Sequence, residues 1–173
     1  NRIRKEHGPM GLAGFGSAKG SNEEAYLVQK LVRTGFGTNN VDHCTRLCHA
    51  SSVAALMECV GSGAVTAPFT ACEDAEGIMV IGANPTENHP VAATFFKQQV
   101  KAGKTLIVCD PRGQALRKQA THMLQFTPGT DVAMLNAMLH VIVEEGLHDE
   151  QFVQARTDGF EPLREHLKDY APE

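Results

Sequence analysis

The stretch EGIMVIGANPTENHPVAATFFKQQVKAGKTLIVCDPRG, residues 76–113, decides the fold of this 173-residue chain. Ile78-Met79-Val80-Ile81 is a short apolar run between two glycines, which predicts a strand buried on both faces. Residues 90–102 carry apolar side chains at helical spacing and end at Gly103, and Leu106-Ile107-Val108-Cys109 repeats the strand pattern. Strand, helix and strand with short connectors indicate a parallel α/β sheet.

The sequence on the C-terminal side extends this pattern. A third strand is predicted at Met123–Phe126, a strong helix at Val132–Glu145, and two further helices within residues 149–170. We therefore expect a three-layer α/β fold with a mainly parallel, Rossmann-like sheet. Its α/β part spans residues 76–146, and the C-terminal helices span residues 149–170.

The N-terminal third is less regular. Leu12–Phe15 is a candidate strand, and Ser21-Asn22-Glu23-Glu24 has the pattern of a capping box for a helix that reaches about Arg33. Ser51-Ser52 is a candidate cap for a helix through Leu56 and Met57. The whole chain, residues 1–173, has the length of one domain.

Composition excludes several classes of protein. A net charge of -4 and a pI of about 6.1 argue against a nucleic-acid-binding protein. No apolar run is long enough to span a membrane. Five cysteines without a CxxC pair fit neither a disulfide framework nor a ribbon-type zinc site, and they indicate reduced thiols in a cytoplasmic protein. Because the chain begins at Asn1 without an initiator methionine, we expect it to be a segment of a longer polypeptide.

The loops that follow the three predicted strands share one character. Gly82-Ala83-Asn84-Pro85, Asp110-Pro111-Arg112-Gly113 and residues 127–131 combine turn formers with polar side chains. Each alone fits an ordinary turn. Three on one sheet edge favour a nucleotide-like ligand, because ligands of open α/β sheets bind beyond the carboxyl ends of the strands. Asp110 could accept a hydrogen bond from a guanine or ribose, and Arg112 could pair with phosphate. The kind of nucleotide stays open, since neither the dinucleotide fingerprint nor a phosphate loop is present.

A second chemical feature is His43-Cys44-Thr45-Arg46-Leu47-Cys48-His49, with two cysteines and two histidines in seven residues. A thiol between cationic side chains and before a predicted helix is suited to bind a soft metal or to act as a nucleophile. A zinc site, a nucleophilic cysteine, a single thiolate ligand to a metal cofactor and an inert structural segment all remain open. Zinc usually requires four protein ligands, and no second Cys/His cluster is evident. Cys59, Cys72 and Cys109 fall on apolar patterns typical of small core residues.

Taken together, these motifs resemble the molybdopterin oxidoreductase superfamily. Residues 37–49 are similar to the metal-site segment of its formate dehydrogenase catalytic (alpha) subunits, and residues 82–91, 108–112 and 128–131 are similar to its pterin-dinucleotide loops. The resemblance follows family order along essentially the whole chain. It implies a metal-site segment at residues 37–60 of a larger multidomain subunit.

The resemblance also implies the roles of individual residues. Cys48 occupies the position of the molybdenum or tungsten ligand, and His49 that of a catalytic, proton-handling histidine. In the related nitrate reductases a methionine usually follows the ligand cysteine, so His49 favours formate. Cys44 is expected to be buried and structural, and Arg46 to fix the loop. The cofactor-binding residues that the resemblance implies are Ser17, Lys19, Gly82, Ala83, Asn84, Glu87, Asn88, Cys109, Asp110, Pro111, Arg112, Pro128, Gly129 and Asp131.

For the parent subunit, the resemblance implies oxidation of formate to CO2 at a molybdenum or tungsten centre that carries two pterin guanine dinucleotides. A four-iron four-sulfur cluster would lie outside this chain. The implied partners are the remaining domains of the same subunit and electron-transfer subunits, either NAD-linked or carrier-linked. The isolated segment is expected to be inactive. The alternatives are a non-catalytic nucleotide-binding or interaction domain and another molybdopterin oxidoreductase such as nitrate reductase.

Overall fold

The structure is a computed structural model that describes residues 1–172. These residues divide into two compact units, the first spanning residues 1–66 and the second beginning at Ala67. Chain length predicts one domain, whereas the contacts within the chain form two groups. No helix in the described part of the chain is both long and apolar enough to cross a membrane.

The first unit is built around two short parallel strands. Gly14 pairs with Val41, and Gly16 pairs with His43. In chain order its elements are α1 (Arg2–His7), a 3-10 helix (Pro9–Gly11), β1 (Gly14–Gly16), α2 (Asn22–Lys30), a π-helical segment (Leu31–Phe36), β2 (Val41–His43), α3 (Thr45–Cys48) and α4 (Ala50–Val60). Sequence patterns indicated β1 but not β2, because a three-residue strand is too short to show an alternation.

Two helix N-termini were predicted in the first unit from candidate capping residues, and one of these predictions is confirmed while the other is wrong. Ser21 forms the predicted capping box, since its Oγ accepts from the Glu24 N–H while the Glu24 carboxylate accepts from the Ser21 N–H. The predicted cap at Ser51-Ser52 is wrong, because α4 begins at Ala50, directly after His49. His49 has φ -150° and ψ 23°, so the chain turns there between α3 and α4.

The second unit is a three-stranded parallel sheet with helices. Its sheet order is β3-β4-β5, so β4 is the central strand. The elements are a 3-10 helix (Phe69–Glu73), β3 (Gly77–Ile81), α5 (Pro85–Asn88), α6 (Pro90–Lys101), β4 (Thr105–Cys109), a 3-10 helix (Ala115–Lys118), β5 (His122–Leu124), α7 (Asp131–Glu144), α8 (Glu150–Arg156), α9 (Phe160–Leu167) and a 3-10 helix (Lys168–Tyr170). The predicted parallel α/β class is confirmed, and β5 ends two residues earlier than expected.

The core of the second unit lies against one face of this sheet. Ile78 and Val80 of β3 pack with Leu106 and Val108 of β4 and with Leu116. The expectation that β3 is buried on both faces is wrong, because Met79 and Ile81 are exposed. In this sheet β3 is an edge strand, and its successive side chains point to opposite faces.

Candidate functional site

Cys48 is the last residue of α3, and its side chain is exposed. The helix is held by hydrogen bonds from the Cys48 N–H to the Cys44 carbonyl and from the His49 N–H to the Thr45 carbonyl, both 3.1 Å. His49 is also exposed, and its carbonyl starts α4 by accepting from the Val53 N–H at 2.9 Å. An exposed thiol and an exposed imidazole therefore belong to consecutive residues at the junction between two helices.

Arg46 is engaged within its own loop. Its Nε donates to Asp42 Oδ2 at 2.8 Å, and Asp42 Oδ1 accepts from the His43 N–H, also at 2.8 Å. These hydrogen bonds, that from Arg46 first, hold the pKa of the Asp42 carboxyl below its usual value, and the same contact raises the pKa of Arg46. Arg46 thus fixes the segment between β2 and α3, as predicted.

His43 closes the turn that leads into α3. Its Nδ1 accepts from the Thr45 N–H at 3.2 Å and lies 2.6 Å from Thr45 Oγ1. Because Nδ1 accepts from a backbone N–H, the neutral ring carries its proton on Nε2, and the Thr45 hydroxyl donates. The His43 ring therefore holds the turn before α3 in place, a role that its position in the sequence did not indicate.

Ser17 and Lys19 lie at the same edge of the small sheet as the cysteine segment. The loop that carries them leaves β1 at Gly16, which is paired with His43. Within the loop, Ser17 Oγ accepts from the Lys19 N–H, and the Ala18 N–H donates to Cys44 Sγ, both at 3.1 Å. The structure thus brings two of the predicted cofactor residues to the segment that carries Cys48.

In the second unit, hydrogen bonds join the loops at the carboxyl ends of β3, β4 and β5. The Gly82 N–H donates to the Cys109 carbonyl at 2.9 Å, and the Asp110 N–H donates to the Leu124 carbonyl at 3.2 Å. Gln125 Nε2 reaches the Pro111 carbonyl at 2.9 Å. The predicted gathering of these strand ends at one sheet edge is confirmed, because all three strands run parallel.

Asp110 is the buried polar group of this edge, with a side chain only 3% exposed. Its Oδ1 accepts from the Arg112 N–H at 2.7 Å, while the Arg112 side chain is 80% exposed. The Arg112 Nε lies 3.9 Å from Asp110 Oδ1, so an exposed guanidinium pairs with a buried carboxylate two residues away. The adjacent Gly82 has φ 58°, a left-handed conformation that favours glycine.

The remaining predicted residues of the second unit differ in exposure. The Cys109 thiol is fully buried, and burial raises its pKa, so only its backbone is available at the edge. Asn84 Oδ1 accepts from Thr86 Oγ1 at 2.5 Å. Most of the others are exposed: Ala83, Glu87, Asn88, Pro128, Gly129 and Asp131, while Pro111 is half-buried. Gly129 has φ 88° in the turn before α7, which begins at Asp131.

Gln114 is a residue of this edge that sequence reasoning missed. It is buried, and its Nε2 donates to the Ala83 carbonyl at 2.5 Å. Its Oε1 accepts from the Leu116 N–H at 3.5 Å, at the start of a 3-10 helix. Gln114 therefore ties the loop after β3 to the loop after β4. A glutamine directly after a turn gives no distinctive signal of such a contact.

The described residues contain no cluster of three or more His, Cys, Asp or Glu side chains placed to bind a metal ion by themselves. A metal brought by a cofactor needs fewer protein ligands, and the exposed Cys48 thiol offers one. The family model described as "Molybdopterin oxidoreductase" matches residues 1–163.

The chain belongs to the molybdopterin oxidoreductase family. It is 44% identical, over 98% of its length, to the F420-dependent formate dehydrogenase 1 subunit alpha of Methanococcus maripaludis, and it covers 25% of that protein. It is 40% identical, over 99% of its length, to formate dehydrogenase H of Escherichia coli, and it covers 24% of that protein. The chain thus spans about a quarter of the length of these curated relatives.

A solved structure also resembles this chain. Acetylene hydratase from Pelobacter acetylenicus matches with a TM-score of 0.74 and 26% sequence identity, over 98% of this chain and 23% of that one. The match supports the α/β fold within the molybdopterin oxidoreductase family. It also shows that one fold accompanies different reactions, so the reaction must be argued from the residues of the site.

Family membership implies a molybdopterin-type cofactor, and the residues of each unit fit one. The first unit offers an exposed soft thiol at Cys48, with Lys19 on a loop bonded to the same segment. The second unit offers a buried carboxylate at Asp110 and an exposed guanidinium at Arg112. These are the donor and acceptor types that a metal, a phosphate and a purine require.

Proposed function

We propose that the parent of this chain oxidises formate to CO2 at a molybdenum or tungsten centre with two pterin guanine dinucleotides, and that Cys48 is the protein ligand of the metal. The supporting observation is an exposed Cys48 thiol at a helix junction, within a chain 44% identical over nearly its whole length to a formate dehydrogenase subunit. The isolated segment is expected to be inactive, since it spans a quarter of that subunit.

In this proposal, residues of the first unit provide the metal ligand and the group that handles the proton of the reaction. Formate oxidation releases CO2, one proton and two electrons, and a bound molybdopterin-type cofactor would supply the acceptor for the electron pair. Cys48 contributes a soft sulfur donor, which suits a metal that must accept two electrons. His49, the next residue in the chain and also exposed, holds or relays the proton as a general acid–base group. The Lys19 ammonium adds positive charge for the substrate carboxylate or the pterin.

The residues of the second unit account for a dinucleotide. Asp110 accepts hydrogen bonds from guanine, and Arg112 pairs with phosphate. Glycine at positions 82 and 129, both at positive φ, lets the backbone approach the ligand. Asn84, Glu87, Asn88 and Asp131 supply further polar groups, and Ala83, Cys109, Pro111 and Pro128 contribute through the backbone and by shape.

The proposal extends to the setting of the parent protein. A four-iron four-sulfur cluster outside this chain would pass the electrons to an NAD-linked or carrier-linked subunit, and we propose a cytoplasmic location. Two alternatives remain for test: another molybdopterin oxidoreductase such as nitrate reductase, and a non-catalytic nucleotide-binding domain. A histidine rather than a methionine after Cys48 favours formate over nitrate.

Replacing Cys48 with Ser in the full-length subunit tests the proposal. Serine offers a hard oxygen that stays protonated near neutral pH, so we expect formate oxidation to fall at least a thousandfold, on the order of the loss of an essential covalent group. Pterin, measured by the fluorescence of its oxidised form, should remain largely bound through the strand-end loops. Metal content is measured by elemental analysis.

Cys59→Ser is the matched control, because Cys59 is an exposed cysteine of α4 in the same unit. It should keep wild-type turnover and metal content. Wild-type turnover with metal bound in Cys48→Ser would refute the ligand assignment. A wild-type subunit that carries the cofactor but reduces nitrate and leaves formate untouched would establish the alternative reaction.

A further inference from the structure

Cys44 forms a hydrogen bond between the loop that follows β1 and the segment that follows β2, beyond the last paired residues of the two strands. The main-chain pairing of β1 with β2 ends at Gly16 and His43. Two residues after Gly16, the Ala18 N–H donates to Cys44 Sγ at 3.1 Å. The Cys44 side chain is half-buried, whereas Ala18 is exposed. The donor N–H thus belongs to an exposed loop, and the acceptor sulfur belongs to a half-buried side chain.

The same residue also starts the helix that carries Cys48. The Cys44 carbonyl accepts from the Cys48 N–H at 3.1 Å and from the Leu47 N–H at 3.2 Å. Cys44 therefore bonds to the Ala18 loop through its side chain and to Cys48 through its backbone. The two acceptors, Cys44 Sγ and the Cys44 carbonyl oxygen, are separated by few covalent bonds. A displacement of the Ala18 loop would therefore displace the start of α3 as well.

The loop that carries Ala18 has an internal hydrogen bond of its own. Ser17 Oγ accepts from the Lys19 N–H at 3.1 Å, so Ser17, Ala18 and Lys19 form one turn. The Ala18 N–H is the group in this turn that bonds to the cysteine segment. Its loss would free the turn, and with it the Lys19 side chain, from the segment that carries Cys48.

We infer that Cys44 is a positioning residue, whose sulfur holds the Ser17–Lys19 turn against the Cys48 helix as a hydrogen-bond acceptor and not only as a packing group. This inference rests on the proposed roles of Cys48 and Lys19. Sulfur is a weak acceptor, and a hydroxyl oxygen in the same place accepts at least as well. Acceptor chemistry and volume can therefore be separated by substitution.

Three variants of the full-length subunit make this separation. Cys44→Val keeps a similar volume and removes the acceptor, Cys44→Ser keeps an acceptor, and Cys44→Ala removes both. Hydrogen exchange of the Ala18 amide, followed by mass spectrometry of a peptide that ends in this turn, reports the bond directly. We expect exchange to accelerate roughly two- to tenfold in Cys44→Val and Cys44→Ala, the size of one lost hydrogen bond, and to stay near wild type in Cys44→Ser.

Turnover provides the second measurement. Cys44→Val should lower kcat by roughly ten- to a hundredfold with the metal retained, because small misplacements of a positioned group carry that cost. Cys44→Ser should restore most of it. In a Lys19→Ala background the further effect of Cys44→Val should largely disappear, since the two residues act through one turn. The same three substitutions at Cys59, exposed on α4, should leave both measurements unchanged.

Either of two outcomes overturns the inference. One is equal Ala18 exchange in Cys44→Val and wild type. The other is a Cys44→Ser variant as impaired as Cys44→Val, which would leave packing as the role of the sulfur. Hydrogen exchange in the Cys44 variants measures the bond from the Ala18 N–H to Cys44 Sγ whether or not formate is the substrate. A wild-type subunit inactive on formate would thus refute the proposed function while the exchange result still decides the role of Cys44.

Discussion

At the scale of single residues, the proposed chemistry rests on Cys48 and His49, a thiol and an imidazole with different proposed roles. A thiol can bind a soft metal, and an imidazole can act as a general acid or base. Both are exposed at the junction of α3 and α4. Variants of the two residues should therefore give different defects, one of metal binding and one of proton transfer.

His49→Ala in the full-length subunit tests the second role. We expect metal and pterin contents to match wild type while kcat for formate falls roughly a hundredfold or more, the usual contribution of a general acid–base group. Imidazole added to the buffer should restore part of the activity. The control is His7→Ala, a change at an exposed histidine of α1. Loss of the metal in His49→Ala would instead assign His49 to the metal site.

The contact between Asp42 and Arg46 predicts a pH dependence. The folded state holds the pKa of Asp42 below its usual value, so the contact stabilises the fold at any pH above that usual value. This stabilisation is lost as the pH falls through the lowered pKa. Asp42→Asn should therefore lower the melting temperature of the chain at neutral pH, and the difference from wild type should shrink at strongly acidic pH. An equal difference at both pH values would contradict this.

At the scale of secondary-structure elements, the edge of the β3-β4-β5 sheet depends on contacts between loops. Gln114 joins the loop after β3 to the loop after β4 through the Ala83 carbonyl. Gln119 is a matched comparison five residues later, because its buried Oε1 has no hydrogen-bond partner among the described residues. The two glutamines thus differ in whether their polar groups are satisfied.

Gln114→Leu should lower the free energy of unfolding by about 1–3 kcal/mol, because it leaves the Ala83 carbonyl and the Leu116 N–H without their partner. Gln119→Leu should change it by less than about 0.5 kcal/mol, or raise it, since an unpaired polar atom is removed. Urea denaturation of the chain followed by circular dichroism measures both. A Gln119→Leu variant as unstable as Gln114→Leu would contradict this explanation of the sheet edge.

At the scale of the whole molecule, the two units bury very different amounts of apolar surface. In the second unit, Leu106, Val108 and Leu116 are fully buried in one cluster. In the first unit, Val32 is the buried apolar side chain of the described residues, accompanied by buried Thr38. Burial of apolar side chains provides most of the free energy of folding, so the second unit should be the more stable one.

Hydrogen exchange of the 173-residue chain tests this difference. We expect the slowest-exchanging amides in β3 and β4, and fast exchange across residues 1–66, where few apolar contacts oppose local opening. Leu116→Ala should accelerate exchange throughout β3 and β4, because it costs about 2–5 kcal/mol of core packing. Leu147→Ala, at an exposed position, is the control. Equal protection in both units would refute the prediction.

The sequence by itself determined the features that depend on short patterns. An apolar run between two glycines located β3, and a second apolar run located β4. Helical spacing located α6 and α7, and the Ser21 capping box located the start of α2. The order of the motifs pointed to the molybdopterin oxidoreductase family, which the family match over residues 1–163 confirms. These features are local, so nearby residues carry the whole signal.

Only the tertiary structure decided which side chains meet. It revealed β2, the exposed face of β3, the Gln114 contact and the bond from the Ala18 N–H to Cys44 Sγ. The last of these joins residues 26 positions apart, and the Gln114 contact joins residues 31 positions apart. Neither separation has a period that a sequence pattern can show, because such contacts depend on how distant segments pack.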